Sequence, residues 1–187
     1  MIIGLTGTYC SGKDTVAEYI VSNYGFGHFS LSDEIRFLMK EAGIEPTREN
    51  LIVFGTNLRK NEGNDVLAKS VIKKFEHGKN YCITSIRHSK EVEKLKTIEN
   101  FVLINVDAPG IIRFERMQKR KRPGDPETFE KFAELEKKES QSSGSGQQVA
   151  LCASMADITF INDASGISEL HSKIDSLMSE LKSKYHG

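Results

Sequence analysis

Short apolar segments alternate with longer amphipathic ones along the chain, and this alternation predicts strands separated by helices. The first strand is predicted at Ile2–Leu5, followed by a glycine-rich turn and a helix. Further strand candidates are His28–Leu31, Tyr81–Thr84, Phe101–Val106 and Ile158–Ile161. None is joined to its neighbour by a two-residue hairpin turn, and parallel strands need crossovers of about a dozen residues or more. The pattern therefore predicts an α/β fold with a parallel sheet.

The helical segments differ in clarity. The last one carries a single apolar stripe, formed by Ile167, Leu170, Ile174, Leu177, Met178 and Leu181. Residues 32–77 have helical composition and no convincing strand, so we interpret them as a helical substrate-binding insert. Asp125-Pro126-Glu127 predicts a helix start, with Asp as the cap and Pro at the first position. Ser140–Gln148 contains only Ser, Gly and Gln, which favours a mobile surface loop without a specific role.

Composition narrows the class of protein. A chain of 187 residues fits a single domain, which we place at residues 1–187, and its 26 basic and 26 acidic residues cancel. With zero net charge, the overall charge of the chain gives no reason to expect nucleic-acid binding, although a local basic patch could still contact phosphates. Three widely spaced cysteines, without a CxxC motif, favour reduced thiols in a cytoplasmic protein. No apolar run approaches the roughly 20 residues that span a bilayer, so no membrane partner is expected.

The strongest chemical signal is Gly7-Thr8-Tyr9-Cys10-Ser11-Gly12-Lys13-Asp14-Thr15. Glycines at both ends let the backbone curl so that successive N–H groups surround phosphate oxygens, and Lys13 adds a full positive charge. The following helix directs its positive dipole end at the same place. This loop, between a predicted strand and a predicted helix, indicates a site for ATP.

The position after the lysine is unusual. Ser or Thr ordinarily stands there and holds Mg²⁺ through its hydroxyl group, whereas this chain has Asp14 followed by Thr15. Asp14 could approach Mg²⁺ directly or through water, because this ion accepts carboxylates and keeps several waters. It could equally stabilise the helix N-terminus as an anion. Both interpretations stay open, with Asp14 and Thr15 as candidate metal ligands and Thr15 as a candidate phosphate contact.

These residues resemble the P-loop nucleotide kinases. The Gly-Lys-Asp-Thr form, here residues 12–15, is similar to the phage-type deoxynucleoside monophosphate kinases and their archaeal relatives. The segments 48–59, 85–92 and 156–162 resemble, respectively, the substrate lobe, the third strand and the final strand of that group. The resemblance implies a three-layer core with a five-stranded parallel sheet of order 2-3-1-4-5. It also implies that Asn162 borders the adenine.

Arginines fall where two anionic reactants would meet. Asp33 and Arg36 resemble the Asp-x-x-Arg of nucleoside monophosphate kinases, in which the arginine holds the acceptor phosphate. Arg87 follows the third strand, at the edge where open α/β sheets bind ligands, and Arg59 belongs to the insert. Asp33, Arg36, Arg59 and Arg87 are therefore our candidate substrate-binding residues, because arginine neutralises phosphate with a fixed fork of donors.

A second basic group consists of Arg113, Arg116 and Arg120, at spacings that share one helix face. Alone it could be a nucleic-acid patch or a solvated helix face. Its place after the Phe101–Val106 strand resembles instead a kinase lid, at about residues 119–127. Arg120 would then close over the transferring phosphoryl group as a catalytic residue beside Lys13, supported by Arg116 and Arg122.

The expected function is Mg²⁺-dependent transfer of the γ-phosphoryl group of ATP to a nucleoside or deoxynucleoside monophosphate, so the partners are small-molecule nucleotides. Two alternatives stay open. The opening Ile-Gly-Leu-Thr-Gly also resembles dephospho-CoA kinase, in which Asp33 would serve as general base for a hydroxyl acceptor. Relatives usually end the third strand with an Asp that orders Mg²⁺, but Thr84 and Ser85 stand here. That departure leaves room for a nucleotide-binding switch or an ATPase without an acceptor.

Overall fold

A five-stranded, all-parallel sheet forms the centre of the protein. The computed structural model describes residues 1–121, 124–140 and 144–185. The strand order is β2-β3-β1-β4-β5, as the resemblance to the P-loop nucleotide kinases implies. The strands are β1 (Ile2–Thr6), β2 (Gly27–Ser30), β3 (Tyr81–Thr84), β4 (Phe101–Asp107) and β5 (Ile158–Ile161).

The central strands are buried on both faces. Every residue of β1 and β3 is buried, which explains why these segments are continuous apolar runs rather than alternating ones. Ile3 of β1 pairs with Cys82 of β3 on one side and with Val102 of β4 on the other. Helices must therefore cover both faces of the sheet.

Helices cover the sheet in two layers, which confirms the predicted three-layer core. One face packs against α1 and α9 through residues that include Val16, Ile20, Ile174 and Leu177. The other face packs against α2, α4, α5 and α8. The helices are α1 (Lys13–Tyr24), α2 (Leu31–Glu41), α3 (Arg48–Glu62), α4 (Val66–Ile72), α5 (Ser89–Leu95), α6 (Gly110–Arg120), α7 (Phe129–Ser140), α8 (Val149–Ser154) and α9 (Ile167–Tyr185).

The stretch between β2 and β3 is helical, as its composition predicts. It contains α2, α3 and α4, and the loop at 42–47 between α2 and α3 is exposed throughout. Leu31 and Met39 of α2 and Leu67 of α4 are buried in the hydrophobic core on the sheet face that α2, α4, α5 and α8 cover. Along the described ranges, no helix combines the length and apolar character that crossing a membrane requires.

Two local predictions are wrong. The helix expected at Asp125 begins at Phe129, and the hydroxyl of Thr128 accepts a hydrogen bond from the Lys131 amide at 3.4 Å. Asp125 is drawn instead into contacts with the phosphate loop. The segment expected to be a surface loop without a role is only partly so: residues 145–148 are half-buried, and Gly144, Gln147 and Gln148 are hydrogen-bonded to Arg87, His88 and Ser89 after β3. Arg122 and Pro123, in the predicted lid, lie outside the described residues.

Candidate functional site

The phosphate loop connects β1 to α1 and has the curled backbone that its glycines predict. Gly7 and Gly12 have φ angles of 149° and 87°, and Cys10 between them has 58°. A Cβ atom on Gly7 would lie 2.1 Å from the carbonyl oxygen of Val106, so only glycine fits. Residues 7–15 thus lie together at the N-terminus of α1, where Lys13 begins the helix.

Asn162 and Arg116 hold this loop from the side of β5. The Asn162 amide donates to the Ser11 carbonyl at 2.8 Å, and Arg116 donates to the same carbonyl at 3.2 Å. Arg116 also contacts the backbone and side-chain oxygens of Asn162, at 3.1 and 3.2 Å. Both predicted residues therefore adjoin the loop, but the structure gives Arg116 contacts with protein oxygens that fix the loop's position.

On the β4 side, the loop is anchored by a residue that sequence analysis missed. The Thr8 hydroxyl donates to Asp107 at 2.9 Å, and the same carboxylate oxygen accepts from the Ala108 amide at 2.8 Å. Asp107 ends β4, directly beside β1 in the sheet. Polar residues at the carboxyl ends of neighbouring parallel strands meet at one edge, so this position was a signal available in the sequence.

Positive charge gathers around Lys13. Burial lowers the pKa of this lysine, and the charges of Arg87 and Arg120 lower it further, while Asp14 acts in the opposite direction. Two cations, one just after β3 and one at the end of α6, are therefore within electrostatic reach of Lys13. Such an arrangement is unfavourable without a counter-charge and becomes favourable once an anion binds between them.

A cavity of about 790 Å³ adjoins this cationic end. Its wall includes the loop residues Gly7, Thr8, Tyr9 and Lys13, together with side chains from the insert. The insert supplies both apolar and charged side chains to the wall, which are Leu31, Ser32, Ile35, Arg36, Pro46, Arg48, Leu51, Ile52 and Arg59. The phosphate loop and the helical insert thus share this cavity, whose wall is completed by Asp125, by residues 85–87, 147, 149 and 150, and by side chains of α6 and α7.

Of the predicted substrate-binding residues, Arg36 and Arg87 line the cavity, but Asp33 does not. Asp33 is exposed and pairs with Arg36 at 3.2 Å, one turn further along α2. Arg36 also donates to the Ser32 hydroxyl at 3.0 Å, and Ser32 lies 3.1 Å from the Ser85 hydroxyl. Arg36 is thereby directed along a row of hydroxyl groups at the ends of β2 and β3.

Arg87 is connected to the segment that was expected to be a loop without a role. Its guanidinium donates to the Gln147 side chain at 3.1 Å, and its carbonyl accepts from the Gln148 amide at 2.6 Å. The buried imidazole of His88 contacts the Gly144 carbonyl at 2.8 Å. Low-complexity composition concealed these contacts, because glutamine amides satisfy specific polar partners as well as water.

Arg59 also lines the cavity, but its guanidinium group is held by protein. Nε and Nη2 donate to the Glu91 carboxylate at 2.9 and 2.7 Å, and the two side chains are 4% and 0% exposed. The other Glu91 oxygen accepts from the amides of Arg87 and His88, both at 3.0 Å. Whether Arg59 also meets a substrate stays a prediction. The missed Glu91 had a signal, the Glu three residues after the cap of α5.

Arg120 lies at the end of α6 and contacts the phosphate loop through Tyr9. It donates to the Tyr9 hydroxyl and, at 3.1 Å, to both oxygens of Asp125. Burial raises the pKa of Tyr9; the Arg120 hydrogen bond opposes this shift, and the Asp125 hydrogen bond adds to it. Tyr9 is therefore protonated near neutral pH and can donate. Arg113 is buried and pairs with Glu136, so the three arginines of α6 have three different partners.

The oxygen groups near Lys13 suit Mg²⁺, which prefers hard ligands and retains water and phosphate oxygens. Asp14 is exposed in the first turn of α1, and Thr15 beside it is half-buried. In the described part of the chain, no three His, Cys, Asp or Glu residues cluster as metal ligands. Asp14 and Thr15 could thus supply one or two ligands, with the remainder coming from a bound nucleotide and water.

These features are shared with known proteins. A family model described as "AAA domain" matches residues 3–141. A shikimate kinase structure from Bacteroides thetaiotaomicron superposes with a TM-score of 0.63 over 97% of this chain and 98% of that one, at 17% identity. The fold is therefore that of the P-loop kinases.

Sequence relatives give the family. A "UPF0200 protein" of Pyrococcus abyssi is 34% identical over 88% of this chain and 89% of its own length. A "UPF0200/UPF0201 protein" of Archaeoglobus fulgidus is also 34% identical, but there the match spans only 51% of a longer protein. The chain belongs to the UPF0200 family.

Proposed function

We propose that this protein transfers the γ-phosphoryl group of ATP, with Mg²⁺, to a nucleoside or deoxynucleoside monophosphate. The observation that carries the proposal is that Lys13 of the phosphate loop and Arg87 line the same cavity, while Arg120 contacts the phosphate loop through Tyr9. Arg36 lines the same cavity from the insert. Cations from both sides suit a reaction that brings two phosphate groups together.

In this reaction, an acceptor phosphate oxygen bonds to the γ-phosphorus, the bond from that phosphorus to the β–γ bridging oxygen breaks, and ADP leaves. The acceptor is already an anion, so no general base is needed. The protein contributes positioning and charge neutralisation. Lys13 and the loop amides would hold the donor, while Arg36 and Arg87 would hold the acceptor. Mg²⁺, with Asp14 and Thr15 as nearby oxygen ligands, would neutralise the donor phosphates.

The alternatives receive less support. A hydroxyl acceptor would need a general base, and Asp33, the candidate, is exposed, paired with Arg36 and absent from the cavity wall. A nucleotide switch without an acceptor leaves the insert side of a 790 Å³ cavity unexplained.

The test measures ADP formation from Mg-ATP alone and with separate acceptors: the nucleoside and deoxynucleoside monophosphates, dephospho-CoA and shikimate. We expect stimulation by one or a few monophosphates, and the phosphorylated product is identified by mass spectrometry. The Lys13→Ala variant controls for contaminating kinases. ADP formation that no acceptor stimulates would refute the proposal in favour of an ATPase, and a phosphorylated hydroxyl acceptor would refute it in favour of that reaction.

A further inference from the structure

Tyr9 occupies a loop position whose side chain the proposed function does not explain. Phosphates are held by backbone amides in such loops, so the side chain at this position is free for another task. Tyr9 is half-buried and lies on the cavity wall, beside Arg48 and Asp125. Its contacts therefore indicate what it does.

The Tyr9 hydroxyl uses its whole hydrogen-bonding capacity. It donates to Asp125 at 3.0 Å and accepts from Arg120 and, at the outer limit of 3.5 Å, from Arg48. A phenol has one proton to give and accepts up to two. The guanidinium carbons of Arg120 and Arg48 also lie 4.7 and 4.9 Å from the ring centroid, within cation–π range.

These partners come from three separate parts of the fold. Arg48 is the first residue of α3 in the insert, Arg120 is the last residue of α6, and Asp125 follows it in the predicted lid. One side chain of the phosphate loop therefore connects the donor side of the cavity to the insert. A change in any of these elements would be transmitted to the others through the ring of Tyr9.

The guanidinium group of Arg120 has hydrogen-bond partners for one of its nitrogens and, within the described ranges, lacks one for another. Its Nη2 serves Tyr9 and Asp125, whereas its buried Nε has no acceptor among the described residues. A buried donor without an acceptor is costly, and an anion bound nearby removes that cost. Since Arg120 contacts Tyr9 of the phosphate loop, the anion that would suit it is the phosphate chain bound at that loop.

We infer that Tyr9 is a positioning residue: its hydroxyl holds Arg120 at the edge of the phosphate loop, where the unpaired Nε donates to a phosphoryl oxygen of the bound nucleotide. This inference rests on the proposed phosphoryl transfer. Arg120 would act on the reacting group, and Tyr9 would act only through Arg120. A free arginine side chain samples many rotamers. If Tyr9 fixes the rotamer of Arg120 before the reaction, the entropy cost of ordering it is not added to the activation barrier.

The test compares Tyr9→Phe, which keeps the ring and removes the hydroxyl, with Tyr19→Phe. Tyr19 is a matched control because its hydroxyl also donates to an aspartate, Asp175, at 3.0 Å, on an exposed surface. We expect Tyr9→Phe to lower kcat about threefold to tenfold with little change in the KM for ATP, which corresponds to one lost hydrogen bond. Tyr19→Phe should match the wild type.

A double-variant cycle separates positioning from a general structural role. Arg120→Ala should lower kcat more than Tyr9→Phe does, and adding Tyr9→Phe to Arg120→Ala should change nothing further. Multiplicative effects of the two substitutions would show that Tyr9 acts independently of Arg120 and would overturn the inference. Equal losses of kcat in Tyr9→Phe and Tyr19→Phe would overturn it as well.

A second measurement needs no catalysis. In protein labelled with ¹⁵N-arginine, the Nε–H signal of Arg120 is assigned by its loss in Arg120→Ala. A non-hydrolysable ATP analogue with Mg²⁺ should slow its exchange with water in the wild type, and Tyr9→Phe should weaken that effect. An Arg120 signal unaffected by the analogue or by Tyr9→Phe would refute the positioning role. If the wild type phosphorylates no acceptor, the proposed function fails while this measurement still judges Tyr9.

Discussion

The Arg59–Glu91 pair allows a sharp test of how a cavity-lining arginine is used. In Glu91→Gln, the buried carboxylate that accepts both Arg59 hydrogen bonds becomes a neutral amide. The amide oxygen can still accept from the backbone amides of Arg87 and His88, so the turn after β3 is preserved. The substitution therefore removes chiefly the counter-charge of a guanidinium that is only 4% exposed.

Breaking a buried ion pair from one side costs about 3–5 kcal/mol, because an uncompensated charge remains. For a chain of 187 residues, each kcal/mol lowers Tm by about 2–4 °C, so we expect a fall of about 6–20 °C. The chain has no tryptophan, and urea or thermal unfolding is best followed by far-ultraviolet circular dichroism.

The control is Glu93→Gln on the same helix. Glu93 pairs with Lys90 at 2.7 Å, but these side chains are 50% and 55% exposed, so its loss should cost less than about 1 kcal/mol. The double variant Arg59→Met with Glu91→Gln should recover most of the stability, since no buried charge is left. Equal unfolding midpoints for Glu91→Gln and Glu93→Gln would refute this reasoning and restore Arg59 to the acceptor site.

Four further outcomes follow from the site. Lys13→Ala should lower the phosphoryl-transfer rate at least a hundredfold, about 3 kcal/mol, and turnover near the wild-type rate would contradict the kinase proposal. Arg87→Ala and Arg36→Ala should each raise the acceptor KM about tenfold, about 1.4 kcal/mol, with ATP affinity measured by calorimetry as the unaffected control. Asp14→Ser should alter the Mg²⁺ dependence of turnover, and an unchanged magnesium titration would exclude Asp14 as a metal contact. Burial lowers the pKa of Lys13, and a bound phosphate raises it again, so ATP binding should take up protons and weaken as pH rises into the alkaline range. A dissociation constant that stays flat there would contradict this account.

Features with a short-range cause could be predicted from the sequence. The apolar runs placed the five strands to within a residue or two, and the stripe of α9 is buried from Leu170 to Leu181. Gly7 and Gly12 predicted the curled loop because their φ angles disfavour other residues. Arg36 and Arg87 were predicted at one edge of the sheet, because strand ends and the insert share that edge, and both line the cavity there.

Features with a long-range cause could not. The buried ion pair of Arg59 could not be predicted, because its partner, Glu91, is 32 residues away. Asp125 does not cap a helix as expected, because its carboxylate accepts hydrogen bonds from Tyr9 and Arg120 instead. The sequence around Gln147 and Gln148 has no hydrophobic periodicity or motif, and only the fold brings these residues to Arg87.

The amide of Asn162 reaches the Ser11 carbonyl across 151 residues of sequence. During synthesis, the phosphate loop is made long before Asn162, which follows β5, the edge strand beside β4. A nascent chain therefore carries a nucleotide site without this hydrogen bond until β5 and Asn162 have been translated. Nucleotide binding should consequently mature late, when β5 docks, and a fragment cut to the matched residues 3–141 should bind ATP poorly even if its other strands assemble.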